Sequence, residues 1–229
     1  MQPHAQVTMT RDGGATATDL PATAVPPLHD AARWLGTWWY RPFFRLVVHG
    51  RERIPAIGPV VLVANHSAMV DGPLLFGLLR RRSAFLVKKE MFTGPVGAGL
   101  RGIGQIPVRR GSVDRAPLTT ALGVLRGGGV VGVFPEGTRG QGDVAAAEQG
   151  AAWLARASGA VVLPVVCRGT RRPDGAGRRL RPRVDVLVGE PLPAPTGKGR
   201  ADLVAATETI RVELAALVAE LDDRRSSDG

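Results

Sequence analysis

Val60-Val-Leu-Val-Ala-Asn-His-Ser-Ala-Met-Val-Asp71-Gly72-Pro73 is the stretch that decides how this chain is read. Its first five residues are apolar without alternation, the pattern of a strand covered on both faces in a parallel sheet. Polar side chains begin at Asn65, where the chain leaves such a strand, and Pro73 suits the first turn of a following helix. Ligands gather beyond the carboxyl ends of strands in open α/β sheets, so His66 stands where a general base is useful. On an ideal helix, Asp71 would sit about 140° around from His66 at 3.6 residues per turn. The intervening residues therefore have to turn, or begin a helix late, for the carboxylate to reach the imidazole. If they do, Asp71 fixes the histidine tautomer and stabilises the imidazolium. Otherwise the pair is an Asn-His turn followed by a helix-capping Asp.

The strand–loop–helix pattern repeats outward from this stretch. Strands are expected at Val60–Ala64, Ala84–Val87, Gln105–Val108, Val130–Phe134, Val161–Val166 and Val184–Val188, and helices at Pro73–Arg82, Asp114–Arg126, Ala145–Ala157 and Ala201–Leu221. Short apolar strands alternating with helices imply an α/β fold, a central mostly parallel or mixed sheet flanked by helices. Gly127-Gly-Gly129 reads as a helix stop, Arg168–Arg183 as a basic Gly- and Pro-rich loop, and Pro191–Gly199 as a turn-rich link. The expected organisation is a disordered leader over 1–27, an amphipathic surface segment over 28–46, one catalytic domain over 47–222 and a disordered tail over 223–229.

Trp34-Leu-Gly-Thr-Trp-Trp-Tyr-Arg-Pro-Phe-Phe-Arg-Leu-Val-Val48 holds three of the four tryptophans and the sole tyrosine, interleaved with Arg41 and Arg45 and preceded by Arg33. Trp and Tyr pair an apolar body with a polar tip that suits the headgroup boundary, and Arg adds attraction to anionic lipid. The bland alternative is an aromatic element packed on the core. Pro42 argues against one unbroken helix there. Thirty basic against twenty acidic residues give a net charge of +10, which favours an anionic partner: nucleic acid, an acidic membrane surface or a phosphorylated substrate. No nucleic-acid-binding motif accompanies that charge, so nucleic acid is not an expected partner. Cys167, the only cysteine, allows no intramolecular disulfide and sits in an apolar run where a buried, inert thiol is the rule. No apolar signal core occurs near the start and no run reaches the roughly 18 apolar residues of a membrane span. Those absences lead to the expectation of a soluble or peripheral cytoplasmic protein; with the aromatic segment, the expected location is peripheral, on the cytoplasmic face of a membrane.

Two further strand ends carry chemistry. Gly104-Gln-Ile-Pro-Val-Arg-Arg110-Gly111 ends a short strand in two guanidinium groups, and Val130-Val-Gly-Val-Phe-Pro-Glu136-Gly137-Thr138-Arg139-Gly140 presents a carboxylate, a flexible Gly, a hydroxyl and a guanidinium after a buried strand. Arg grips phosphate oxygens with a planar, two-pronged donor array, and Gly lets backbone amides approach an anion closely.

With these blocks in order, residues 45–190 resemble the glycerolipid acyltransferase family of 1-acylglycerol-3-phosphate acyltransferases. Asn65-His66-Ser-Ala-Met-Val-Asp71 is similar to that family's His–four residues–Asp motif. Gly104–Arg110 resembles its second block, with Arg110 at the phosphate-contacting position. Phe134-Pro135-Glu136-Gly137-Thr138-Arg139 matches the third block without change, and Val162-Leu163-Pro164-Val165 matches the fourth. Lys88, in Phe85-Leu-Val-Lys-Lys-Glu-Met-Phe92, resembles a further lysine near the phosphate. Ser67 and Arg109 depart from the pattern, standing where Arg or Lys and Asp are common.

The resemblance implies transfer of a fatty acyl group to the sn-2 hydroxyl of 1-acylglycerol-3-phosphate, giving phosphatidic acid. It implies His66 and Asp71 as the catalytic pair, and Lys88, Arg110, Glu136, Gly137, Thr138 and Arg139 as substrate-binding residues. The donor is acyl-CoA or acyl-carrier protein as co-substrate; no other cofactor and no metal is expected. Glycerol-3-phosphate, a lyso-aminolipid or a glycolipid is the alternative acceptor within the same fold.

Overall fold

Val60–Ala64 is a strand buried along its whole length, as an unalternating apolar run requires when both faces are covered. The computed structural model describes residues 19–109, 115–135, 141–171 and 180–227, with backbone alone for 141–148. Helix α1 (Pro26–Trp38) precedes β1 (Arg45–His49), β2 (Val60–Ala64), α2 (Asp71–Leu78), β3 (Ser83–Lys88), α3 (Gly94–Gly102) and β4 (Ile106–Val108). There follow α4 (Ala116–Arg126), β5 (Val130–Val133), α5 (Gln141–Ser158), β6 (Val161–Arg168), β7 (Arg183–Val188) and α6 (Arg200–Ser227).

The strands form one sheet in the order β1-β7-β6-β2-β5-β3-β4. The run β6-β2-β5-β3-β4 is parallel, β7 returns antiparallel along β6, and β1 lies parallel to β7. This is the mixed α/β sheet that the sequence pattern predicts. Side chains alternate between the faces. On one face Val61 and Val63 join Val124 and Leu125 of α4, Leu154 of α5 and Leu214 of α6. On the other Val60, Leu62 and Ala64 join Leu74, Leu75 and Phe76 of α2, Phe85 of β3 and Val186 of β7. Helix α1 lies over α2, where Gly36 and Gly77 let the two backbones touch: a Cβ on Gly77 would come within 2.3 Å of the Gly36 carbonyl.

Several boundaries differ from the sequence expectation. The helix expected over Pro73–Arg82 begins at Asp71 and stops at Leu78, because Leu79 is extended and Arg81 donates to the carbonyls of Pro55 (2.9 Å), Gly58 (2.6 Å) and Gly128. The leader expected over 1–27 is docked from residue 19 onward. Leu20 is buried, the Val25 amide donates to Gly102 at 2.8 Å, and Arg82 pairs with Asp19 at 3.4 Å and Asp30 at 2.8 Å. Residues 1–18 lie outside the described residues. The surface segment expected over 28–46 is a helix from Pro26 and a strand from Arg45, separated by turns that span Pro42. The tail expected from 223 is helical to Ser227. Arg224 pairs with Glu220 at 2.7 Å, and Arg225 reaches the buried Asp185 of β7. Helix α3 escaped the sequence reading because glycine stands at 94, 97, 99 and 102, which propensity disfavours. Among the described residues no helix is long and apolar enough to cross a membrane.

His29, on α1, is a fully buried strut. Its Nδ1 lies 2.7 Å from the Ile103 carbonyl, its Nε2 is 3.5 Å from the Ser83 amide, and its ring meets Phe76 edge-on at 5.0 Å. Donating at Nδ1 and accepting at Nε2 is the neutral tautomer. Burial lowers its pKa from 6.5, a push that the Ile103 bond and Asp30 offset in part and Arg33 and Arg82 reinforce. The unfolded chain binds this proton more readily than the folded one. The contribution to stability is therefore complete above about pH 6.5 and is lost as pH falls through the lower folded value. Urea midpoints measured from pH 7.5 to 5 should decline across that window, and less steeply in His29→Gln. An unchanged slope in the variant would remove His29 as the cause.

Candidate active site

The parallel strands β2, β5, β3 and β4 end on one edge of the sheet, where His66 follows β2 and Lys88 closes β3. After Ala64 the chain does not continue straight into a helix. The Asp71 amide donates to the Ala68 carbonyl at 3.0 Å, closing a turn, and α2 starts only at Asp71. The late helix start brings the two side chains together: His66 Nδ1 lies 3.5 Å from Asp71 Oδ2. That separation is just beyond an ordinary hydrogen bond, as catalytic contacts often are when no substrate is bound.

Asp71 is completely buried, and its Oδ2 accepts from the Ser67 and Ala68 amides, both at 2.7 Å. Burial pushes its carboxyl upward. His66, the Ala68 amide, the nearby Thr170 side chain and the Ser67 amide together outweigh that push and hold the group below its usual range. The carboxylate thus stays charged and fixed, the state needed to orient a base. The capping alternative is also partly realised, since Asp71 ties down the turn that precedes its own helix.

Two neighbours were not singled out in the sequence. Asn65 is buried; its Oδ1 accepts from the Cys167 amide at 2.7 Å and its Nδ2 donates to the Cys167 carbonyl at 3.0 Å. The side chain extends the β2–β6 ladder by one rung and clamps the strand end from which His66 departs. Phe134, just past β5, places its ring 4.8 Å from the imidazole and 5.6 Å from Phe85. Phe85 in turn lies flat over Gly132, where a Cβ would come within 2.2 Å of the ring. Asn65 could have been found as the polar residue ending an apolar strand; the ring stack has no sequence signal, because it joins β3 to β5. Burial raises the Cys167 thiol well above its ordinary value, so it is no nucleophile here.

Lys88 is exposed at the carboxyl end of β3, paired in register with Val108 at the end of β4, on the same sheet edge as His66. Arg110, Glu136, Gly137, Thr138 and Arg139 lie outside the described residues. Among the described residues no group of three or more His, Cys, Asp or Glu converges as a metal site.

Residues 45–168 match the protein family described as acyltransferase. A 1-acyl-sn-glycerol-3-phosphate acyltransferase of Bacillus subtilis (strain 168) is 31% identical over 149 residues, which is 63% of this chain and 72% of that protein. A protein of the same description from Chlamydomonas reinhardtii is 35% identical over 162 residues, 66% of this chain and 48% of its own length. The crystal structure of the 1-acyl-sn-glycerophosphate (LPA) acyltransferase, PlsC, from Thermotoga maritima superposes with a TM-score of 0.62 at 28% identity, over 86% of this chain and 79% of that one.

Proposed function

This chain belongs to the acyltransferase family, and from that premise we propose that it esterifies the sn-2 hydroxyl of 1-acylglycerol-3-phosphate, producing phosphatidic acid. The observation that carries the reading is the His66–Asp71 pair on the carboxyl edge of the parallel strands, with Asp71 fully buried and held by two backbone amides.

His66 takes the acceptor proton through Nε2, the nitrogen turned from Asp71, as the hydroxyl oxygen attacks the acyl carbonyl of acyl-CoA or acyl-carrier protein. The tetrahedral intermediate collapses by breaking the carbon–sulfur bond, and the proton passes from His66 to the departing thiolate. Asp71 stabilises the imidazolium between those two transfers. Lys88, Arg110 and Arg139 hold the acceptor phosphate, which fixes the hydroxyl against the base and makes the attack effectively intramolecular. Gly137 and Thr138 are further substrate-binding residues in this reading, and Glu136 orients either the glycerol hydroxyl or Arg139.

The enzyme works at an anionic membrane surface, on the cytoplasmic face, through the outer side of α1. Trp34, Leu35 and Trp38 are exposed there together with Phe43, Trp34 by 67%, and the Arg41 guanidinium lies 3.8 Å over the Trp38 ring. Exposed tryptophans beside cations suit the headgroup layer. The double replacement Trp34→Ala with Trp38→Ala should lower co-sedimentation with phosphatidylglycerol vesicles roughly tenfold, since each ring inserts apolar area. Undiminished binding would remove α1 as the membrane contact.

The activity itself is tested with labelled acyl-CoA and lysophosphatidic acid in mixed micelles, wild type beside His66→Ala. Wild-type product that is lost in the folded variant supports the reading. If product appears only with glycerol-3-phosphate or another lysolipid, the proposed acceptor is wrong. Equal transfer by His66→Ala would sink the mechanism.

A further inference from the structure

The Asp71 carboxylate has two oxygens, and the interactions described so far use one. Oδ2 meets the Ser67 and Ala68 amides and faces His66 Nδ1. Oδ1 is buried and, among the described residues, has no hydrogen-bond partner; the Thr170 hydroxyl is likewise buried and unpartnered. A buried acceptor and a buried donor left unpaired are both costly, and they satisfy one another when paired. The two are neighbours: against the upward push of burial, Thr170 joins His66 and the Ala68 and Ser67 amides in holding the Asp71 carboxyl down.

The sequence separation between them makes the arrangement informative. Thr170 lies two residues beyond β6, in another part of the chain from the His–Asp turn. It is delivered by the clamp in which Asn65 binds both backbone groups of Cys167, tying the end of β6 to the end of β2. The strand that contains Val162-Leu163-Pro164-Val165 therefore runs directly to the support of the pair in the first block.

We infer that Thr170 is a positioning residue for acyl transfer: its hydroxyl donates to Asp71 Oδ1 and locks the carboxylate with Oδ2 turned toward His66. The inference rests on the reading of His66 as the base. Without the hydroxyl the carboxylate rotates about its own axis, and both the imidazole and the two amides lose a fixed acceptor. A polar group that only filled space in the loop would have no effect on those amides.

The test compares Thr170→Val, which keeps the shape and removes the donor, with Thr170→Ser, which keeps the donor. In Thr170→Val, kcat should fall roughly tenfold, the equivalent of one hydrogen bond to a charged group, with KM changed less than about twofold. Thr170→Ser should restore kcat. A second readout needs no activity: hydrogen exchange of the Ser67 and Ala68 amides, followed by NMR, should quicken in Thr170→Val and not in Thr170→Ser. If valine disturbs the fold, Thr170→Ala is read by the same exchange. Wild-type kcat and unchanged exchange in Thr170→Val would overturn the inference, as would a serine variant that behaves like valine. Wild type and His66→Ala run alongside: failure of that control sinks the proposed function, and the amide exchange still decides the role of Thr170.

Discussion

Asp71→Asn is expected to lower kcat by two to three orders of magnitude while the protein stays folded and KM barely moves. Asparagine has nearly the same shape, and its amide oxygen can occupy the Oδ2 position, accepting from the Ser67 and Ala68 amides that Asp71 now binds at 2.7 Å. Its NH2 group then replaces Oδ1, where it can donate to the Thr170 oxygen. The turn and the tautomer of His66 therefore survive. The negative charge does not. A unit charge about 4 Å from another is worth roughly 4 kcal/mol at an effective dielectric near 20, and Asp71 lies 3.5 Å from His66 Nδ1 in a fully buried position. That energy is needed only when the imidazole is positive, so its loss appears in kcat. His66→Ala should cost about as much or more, as removal of a general base does. Steady-state kinetics on both variants, with circular dichroism to verify folding, make the comparison. A loss confined to KM would place Asp71 in substrate binding instead.

Gly77→Ala is expected to destabilise the protein by about 2 kcal/mol net, and Gly36→Ala by far less. A Cβ on Gly77 would lie 2.3 Å from both C and O of Gly36 and 2.9 Å from the Thr37 nitrogen. Those are backbone atoms, so relief requires α1 to move away from α2, which puts the overpacking at the top of its usual range, about 3 kcal/mol. The Thr37 hydroxyl, 3.1 Å from the Gly77 carbonyl, is displaced as well. Against this stands a helix-propensity gain of about 1 kcal/mol for Gly to Ala; the clash wins. At Gly36 the added Cβ would meet the Gly77 Cα at 3.2 Å, which a shift of a few tenths of an ångström relieves, so propensity nearly cancels the cost. For a domain of this size the Gly77 loss corresponds to a drop of roughly 4–8 °C in Tm. Similar midpoints for the two variants would mean that the helices do not cross at these glycines.

What the chain determines by itself is local. Unalternating runs such as Val60–Ala64 and Val130–Val133 can only be doubly covered strands, and the helices between them follow from length and punctuation. The same local order puts His66 and Lys88 at or just after strand ends, which is why they could be singled out before the fold. The tertiary structure decided everything that depends on meeting across strands. Whether Asp71 reaches His66 turned on the Ala68–Asp71 turn that delays α2 until Asp71, and periodicity does not locate helix ends to within two residues. Helix α3 forms against its glycine content because neighbouring elements hold it: Val25 and His29 of the N-terminal segment bind the carbonyls of Gly102 and Ile103. The Asn65 clamp on Cys167, the Phe85–Phe134–His66 stack and the approach of Thr170 to Asp71 join residues 49 to 102 positions apart. Such contacts depend on strand order, β6-β2-β5-β3, and no pattern within a single segment encodes that order.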